Sequence, residues 1–377
     1  MYRVLVTGGG TGGHVYPAVS IASGFLQRNP ESEVLYVGSK QGIEKRVVSD
    51  RNLPFESLRV QGVVGKSRLE QIKGAFSLLK ATYRAMGIVA RFNPDIVVGT
   101  GGYVSVPAVS AAQLRRLPTV IQEQNVIPGQ ANRMLSRASA LILLPSERSS
   151  EHFPKQTREK QVVTGNPIRQ EFSTTSRSGG RKKHQLAEDD FVVLAFGGSG
   201  GAEVLNRGIT DFIVTFFSEY DSLSMIYVTG RRYYSGAMGR INDDSNAKRL
   251  IAQGRLQVHP YLDDVPSAMV ASDLLLCRAG AMTLAEATAV GLPMIIVPSP
   301  NVSNDEQRHN AEVLREKGAA EVIEDAQFTA RELNMCFKKL TENSEKIKKM
   351  SFASESEGKP KALDRIVDNI ENLLQGR

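Results

Sequence analysis

The chain has 377 residues, 41% of them hydrophobic, and a formal charge of +7. That length suits two domains, and the basic balance calls for an acidic partner: nucleic acid, an anionic membrane face or a phosphorylated substrate. Two cysteines outside any C-x-x-C pattern, five histidines without metal-ligand spacing and the lack of Trp exclude a redox motif, a structural metal site and a rich aromatic sugar platform.

Residues 4–6 read as a strand and lead into Gly8-Gly9-Gly10-Thr11-Gly12-Gly13-His14, followed by Pro17-Ala18-Val19 and an amphipathic stretch to Leu26. Strand, glycine turn, helix is a ready anion site. The turn offers bare backbone N–H groups, and the helix dipole adds its positive end. The first segment is a strand and not a signal peptide, and no window is apolar enough to span a membrane, so a cytoplasmic chain is expected. Strands follow at 34–37, 55–60, 95–98, 119–121, 140–144 and 162–163, with helices at 43–50 and 107–114 between them. Short apolar runs separated by helical patterns argue a parallel sheet covered on both faces.

One helix stands apart. Leu69, Ile72, Phe76, Leu79, Tyr83 and Met86 recur at steps of three and four, with Lys66, Lys73, Lys80, Arg84 and Arg91 along one edge. That pattern fits either a core helix with a solvated edge or a helix lying on an anionic membrane surface. The stretch 173–190, rich in Ser, Gly, Arg and Lys, reads as a linker. The alternation then resumes. Strands are expected at 191–196, 225–228, 256–258, 274–277 and 294–297, and helices at 202–217 and 283–290. A second glycine turn, Gly197-Gly198-Ser199-Gly200-Gly201, follows the first of these strands. An amphipathic helix at 361–374 is placed to cross back onto the first half. The domains are therefore expected at 1–168 with 360–377, and at 169–359.

Gly8, Gly10 and Gly13 formally match the dinucleotide fingerprint, but the second strand ends Val37-Gly38-Ser39-Lys40, without the acid that grips a ribose. NAD is not expected, and the glycines read as a phosphate cradle. His14 either contacts phosphate and takes a proton from an alcohol, or is structural. Glu123, at a strand's carboxyl end, is either a general base or a capped, hydrogen-bonded acid. Glu286, one turn after Thr283, can accept two bonds from a ribose diol or be an ordinary helix acid. Gln307 offers a donor and an acceptor suited to sugar hydroxyls.

Taken in order, these motifs resemble the MurG family, the GT-B N-acetylglucosaminyltransferases of peptidoglycan synthesis. The resemblance rests on Gly9-Gly10-Thr11-Gly12-Gly13-His14, Gly101-Gly102-Tyr103-Val104-Ser105, Glu123-Gln124-Asn125 with Pro128-Gly129, and Gly165-Asn166-Pro167-Ile168-Arg169. It continues through Gly197–Gly201, Arg278-Ala279-Gly280-Ala281-Met282-Thr283 with Glu286, and Asp305-Glu306-Gln307. It implies an α/β fold of two Rossmann-like domains with parallel sheets facing across a cleft. It also implies inverting transfer of GlcNAc from UDP-GlcNAc to the C4 hydroxyl of MurNAc in lipid I, giving lipid II.

Further implications concern single residues and partners. Thr11, Gly12, Gly13, Asn125, Arg169 and Ser199 would meet the sugar and pyrophosphate, and Leu262 the uracil. Ala281, Met282, Thr283, Leu284, Ala285 and Glu286 would wrap the nucleoside, and Gln307 would read the GlcNAc hydroxyls. His14 and Glu123 would serve the reacting hydroxyl, and the first turn would face the acceptor's pyrophosphate. No metal and no tightly bound cofactor are implied. The implied partners are a polyprenyl-pyrophosphate lipid, an anionic membrane surface met by residues 66–91, and cell-wall synthesis proteins, with no nucleic acid. The implied place is the cytoplasmic face of the inner membrane, held peripherally. Two departures stand out: Gln122 where many members carry His, and Glu306 where they carry His or Gln. A diacylglycerol glycosyltransferase and a non-catalytic UDP-sugar sensor are the rival readings.

Overall fold

A computed structural model describes residues 1–40, 42–60, 68–198 and 200–376. The chain divides into two compact units, Met1–Ile168 with Lys361–Arg377, and Arg169–Pro360. Each is built on one fully parallel sheet.

In the first unit the strands are β1 (Arg3–Thr7), β2 (Glu33–Ser39), β3 (Phe55–Leu58), β4 (Ile96–Gly99), β5 (Thr119–Gln122), β6 (Leu141–Leu144) and β7 (Gln161–Val163). Their spatial order is β3-β2-β1-β4-β5-β6-β7. The order reverses beside β1, which pairs with β2 on one side and β4 on the other, Val6 lying opposite Tyr36 and Val98. Successive residues of a strand face opposite sides, and here both sides are covered. Val4 and Val6 pack with Phe25 of α1 (Gly12–Arg28) and with Ile366 and Ile370 of the helix Ala362–Leu374. Leu5 packs on the other side with Ala85 and Ile88 of a long helix and with Val109 of the helix Ser105–Leu114. The C-terminal helix is fastened to α1 by Arg28, which reaches Asp368 at 2.6 Å and Glu371 at 2.7 Å.

In the long helix, Arg68–Phe92, part of the apolar stripe read from the sequence lies outward and not in the core. Ala81, Ala85, Ile88 and Val89 are buried, whereas Phe76, Leu79 and Tyr83 stand 62%, 67% and 79% exposed beside the exposed Lys80 and Arg84. Small residues let the helix sit close to its neighbour, the helix Ser105–Leu114, so the large side chains are turned outward. Lys66 lies outside the described residues, and nothing is described of the side chains of Leu69, Ile72 and Lys73. Arg91 pairs with Glu56 at 2.9 Å.

The second unit orders its strands β10-β9-β8-β11-β12-β13. In chain order these are β8 (Phe191–Phe196), β9 (Leu223–Val228), β10 (Leu256–His259), β11 (Leu274–Cys277), β12 (Met294–Ile296) and β13 (Ala320–Val322). The reversal falls between β8 and β11. Phe212, Phe217 and Phe337 fill one side of the core, the Phe212 and Phe337 rings stacked at 5.1 Å. The three-residue edge strand β13 and the helices Tyr234–Asp243, Ser245–Ala252, Ala330–Thr341 and Ser344–Glu357 stand outside the elements expected from sequence.

The expected linker at 173–190 is in fact docked structure. The helix Arg177–Lys183 carries Arg181, 1% exposed, whose guanidinium donates to the carbonyls of Ala187, Glu188 and Asp190 and to Asp273 at 2.8 Å. A segment poor in apolar residues is held down by one buried charge that collects the carbonyls of its own turn. Composition hides such a device, because the Arg is counted as solvated.

Candidate functional site

In open parallel sheets, ligands gather outside the carboxyl ends of the strands where the strand order reverses. In the first unit that point is the pair of turns after β1 and β4. They are tied together: Gly9 N–H donates to the Gly101 carbonyl at 3.3 Å, and the Thr100 hydroxyl donates to the His14 carbonyl at 2.7 Å. The glycines are needed for this approach. A Cβ on Gly8 would lie 2.0 Å from Thr100 Oγ1, and one on Gly102, whose φ is +74°, would lie 2.0 Å from the Gly9 carbonyl oxygen. Thr11, at the N-cap of α1, is exposed and makes no side-chain cap bond. No acceptor among the described residues sits on the N–H of Gly12 or Gly13. A helix start with vacant amides has the donors an anion needs, as expected from the sequence.

His14 is partly buried in this corner. Its Nδ1 lies 3.0 Å from Thr11 Oγ1. Burial pushes its pKa down to about 4, and a hydrogen bond to the Gly9 backbone pulls weakly the other way. The imidazole is therefore neutral at pH 7, the state from which it can accept a proton.

Glu123 follows β5 and is 1% exposed. Oε1 accepts from the Gln124 and Asn125 backbone N–H groups, both at 2.9 Å. Oε2 accepts from Gly129 N–H at 3.1 Å and from Asn132 Nδ2 at 2.8 Å. Burial raises its pKa, against the pull of these four donors. Both oxygens are occupied in shaping the loop 123–132, which argues for the hydrogen-bonded acid and against the general base. Asn125 belongs to the same loop. Gln122, where the resemblance led to an expected His, is fully buried, its Nε2 donating to the Glu123 carbonyl at 2.8 Å and to Asn166 at 3.1 Å. The two networks meet at Gly101, where a Cβ would sit 2.9 Å from the His14 ring and 3.1 Å from Asn132 Nδ2. Asn132 escaped the sequence reading because a lone Asn in a short helix carries no signal of a partner nine residues back.

The second unit repeats the arrangement. The glycine turn after β8 folds against the turn after β9: a Cβ on Gly201, with φ +74°, would lie 2.2 Å from the Thr229 carbonyl oxygen. Ser199 lies outside the described residues. Next to this turn, β11 leads into the helix Ala281–Ala289, whose N-cap Gly280 supplies no side-chain cap. Met282, Thr283 and Ala285 are partly exposed on it, and Leu284 is buried. Glu286, 7% exposed, is held by Arg169 in a two-point pair, Nε to Oε1 at 2.8 Å and Nη2 to Oε2 at 3.0 Å. Burial raises the Glu286 pKa and Arg169 opposes the rise. Each carboxylate oxygen keeps a lone pair for a hydroxyl. Leu262 sits in the loop leaving β10, at the same edge of the sheet. Gln307 Oε1 accepts from Ser299 N–H at 2.9 Å, which fixes its amide at the turn after β12. Arg278 is occupied elsewhere, donating to the Val297 carbonyl at 3.0 Å and pairing with Asp325.

Residues 4–143 match the glycosyltransferase family 28 N-terminal domain, and residues 192–366 match the glycosyltransferase family 28 C-terminal domain. The UDP-N-acetylglucosamine--N-acetylmuramyl-(pentapeptide) pyrophosphoryl-undecaprenol N-acetylglucosamine transferase of Desulforamulus reducens is 38% identical, with 99% of each chain covered. The protein of the same name from Clostridioides difficile is 37% identical, over 98% of this chain and 88% of its own. Among solved structures, Acinetobacter baumannii MurG superposes with a TM-score of 0.75 at 29% identity, covering 99% of this chain and 100% of its own. Staphylococcus aureus MnaA with UDP shares the fold, with a TM-score of 0.71 at 16% identity over 100% and 97% of the two chains.

Proposed function

The chain belongs to glycosyltransferase family 28, and from that premise we infer that it is a UDP-GlcNAc-dependent transferase of peptidoglycan synthesis. It moves GlcNAc from UDP-GlcNAc onto the MurNAc sugar of undecaprenyl-pyrophosphoryl-MurNAc-pentapeptide, lipid I, to give lipid II. The single observation that carries this reading is full-length similarity to relatives bearing that name, at 38% identity over 372 residues.

The roles of individual residues are our proposal, supported by the geometry. Glu286 receives the ribose hydroxyls, oriented by Arg169. The open first turn of the helix Ala281–Ala289 and the glycine turn after β8 hold the pyrophosphate. Leu262 borders the uracil, and Gln307 reads the sugar. In the first unit the vacant amides of Gly12 and Gly13 take the acceptor's pyrophosphate. Neutral His14 takes the proton of the attacking hydroxyl. That hydroxyl displaces UDP in line and inverts the anomeric carbon. Charge developing on UDP is held by helix-start amides and Arg169, donors already in place before the reaction.

The test supplies UDP-GlcNAc with lipid I and, in a second reaction, with diacylglycerol. UDP release with lipid I alone is expected; release with diacylglycerol alone overturns the reading. Glu286→Ala, assayed beside it, is expected to raise the UDP-GlcNAc KM about tenfold, the order of one lost charge-assisted hydrogen-bond pair.

The lipid-linked acceptor must be met at a membrane. Among the described residues no helix is long and apolar enough to cross one. We propose that the protein binds peripherally at the cytoplasmic face, through the outward stripe Phe76, Leu79 and Tyr83 flanked by Lys80 and Arg84. An exposed apolar stripe edged by cations suits an anionic bilayer. Changing Phe76, Leu79 and Tyr83 together to Ser is expected to reduce co-sedimentation with anionic vesicles at least fivefold and to leave the unfolding midpoint unchanged. Equal sedimentation of variant and parent would place the docking surface elsewhere.

A further inference from the structure

The glycines of the first turn read in sequence as a cradle for a bound phosphate, but two of them serve another group. Glu44, at the start of the helix Glu44–Ser49, is fully buried. Its carboxylate lies against the turn from behind: Oε1 accepts the Gly10 N–H at 2.8 Å. A Cβ on Gly9 would meet Oε1 at 2.0 Å, and a Cβ on Gly42 would meet Oε2 at 1.4 Å. These two glycines are bare because the carboxylate occupies the space. Oε2 has no hydrogen-bond partner among the described residues. A buried carboxyl oxygen left without a donor is costly unless the structure gains by it.

We propose that Glu44 is the internal hydrogen-bond acceptor of the first glycine turn, a positioning residue that fills the Gly9–Gly10 half and so assigns the substrate's phosphates to the Gly12–Gly13 half. A phosphate cannot take a space and an N–H that the Glu44 side chain already holds. With Gly10 N–H already engaged, the amides still vacant are those at the start of α1, next to His14. The carboxylate also fixes the height of the Gly9 carbonyl, against which Gly102 is packed and toward which the His14 ring is held. Glu44 thus acts on the reaction through the turn and does not touch substrate.

The inference rests on the reading of this turn as the acceptor's pyrophosphate site, and the test separates the two. KM values for lipid I and for UDP-GlcNAc are measured on Glu44→Ala, Glu44→Gln and Gly13→Val, with thermal unfolding recorded for each. Glu44→Ala is expected to raise the lipid I KM at least tenfold with the UDP-GlcNAc KM within twofold. Glu44→Gln, whose carbonyl still accepts from Gly10, is expected to return the lipid I KM to within about threefold of the parent. Gly13→Val, which puts a branched side chain at the vacant amides, raises the lipid I KM as well. If Gly13→Val raises the lipid I KM and Glu44→Ala does not, the role of Glu44 is overturned and the acceptor reading stands. If Gly13→Val raises the UDP-GlcNAc KM instead, the acceptor reading itself falls. If Glu44→Ala moves both KM values together, or the Gln variant fails to rescue, the role is overturned. Should the Ala variant not fold, a parent-like lipid I KM in the Gln variant still supports the role, and a KM raised beyond threefold overturns it.

Discussion

His14→Ala is expected to lower kcat by about 10²–10⁴-fold, the range for loss of a positioned general base, and to leave the affinity for UDP-GlcNAc within about threefold. Glu123, the other residue suggested as base by the sequence, has both oxygens engaged by its own loop. His14 has the protonation state the task requires, because burial holds its pKa near 4. The pH dependence follows from that shift. The imidazole takes its proton only below about pH 4, so kcat/KM for lipid I should stay level from pH 8 down to pH 5 and fall as the medium approaches pH 4. An ordinary histidine would place that limb near pH 6.5. Stability has the opposite cost. Between the ordinary value and about 4 the unfolded chain binds a proton at His14 that the native state does not, so the native state loses stability as pH falls through that window. Initial rates for His14→Ala and the parent across this range check both statements. A fall of less than tenfold in kcat, or an acid limb centred near pH 6.5, would remove His14 from the proton transfer.

Arg181→Ala is expected to destabilise the second unit by about 3 kcal/mol, the lower end of the range for breaking a buried ion pair. The side chain is 1% exposed, and its loss would take a donor from three carbonyls and from Asp273. The lower end applies because Asp273 keeps Arg177 at 2.6 Å and the Val192 N–H at 2.8 Å. Arg177, whose side chain is 47% exposed, is worth at most about 1 kcal/mol by comparison. Urea unfolding of both variants measures the difference. If Arg181→Ala loses no more than Arg177→Ala, the segment 173–190 is a passive linker after all. Substrate KM values in the folded variant should not move, since no residue assigned to the substrates touches Arg181.

The stretches legible from sequence were those in which local pattern and tertiary demand agree. Fully buried parallel strands need continuous apolar runs, and β1, β8 and β11 show them. A turn between strand and helix that must leave amides bare needs glycine, and both turns carry it. The order of those motifs, read with the turn after β4, the loop 123–129 and Glu286, also carried the family resemblance.

The partnerships were not legible. A carboxylate looks the same in sequence whether it opens onto solvent or is closed by its own loop. Only folding shows Glu123 with its oxygens taken, and Glu286 joined to Arg169 across 117 residues. Burial likewise belongs to the surroundings of a side chain. The period of the helix Arg68–Phe92 fixed which residues share a face, but the close approach of its small residues to the helix Ser105–Leu114 decided which face turned outward. Glu44 is the sharpest case. The glycines around it were visible from the start. What they make room for depends on a contact over 34 positions, between Gly10 N–H and a buried acid. Sequence alone determined the fold, the family and the edges of the sheets where chemistry gathers, because those depend on residue type and spacing. The tertiary structure decided which of the gathered groups are already engaged, because a hydrogen bond is a property of positions in space.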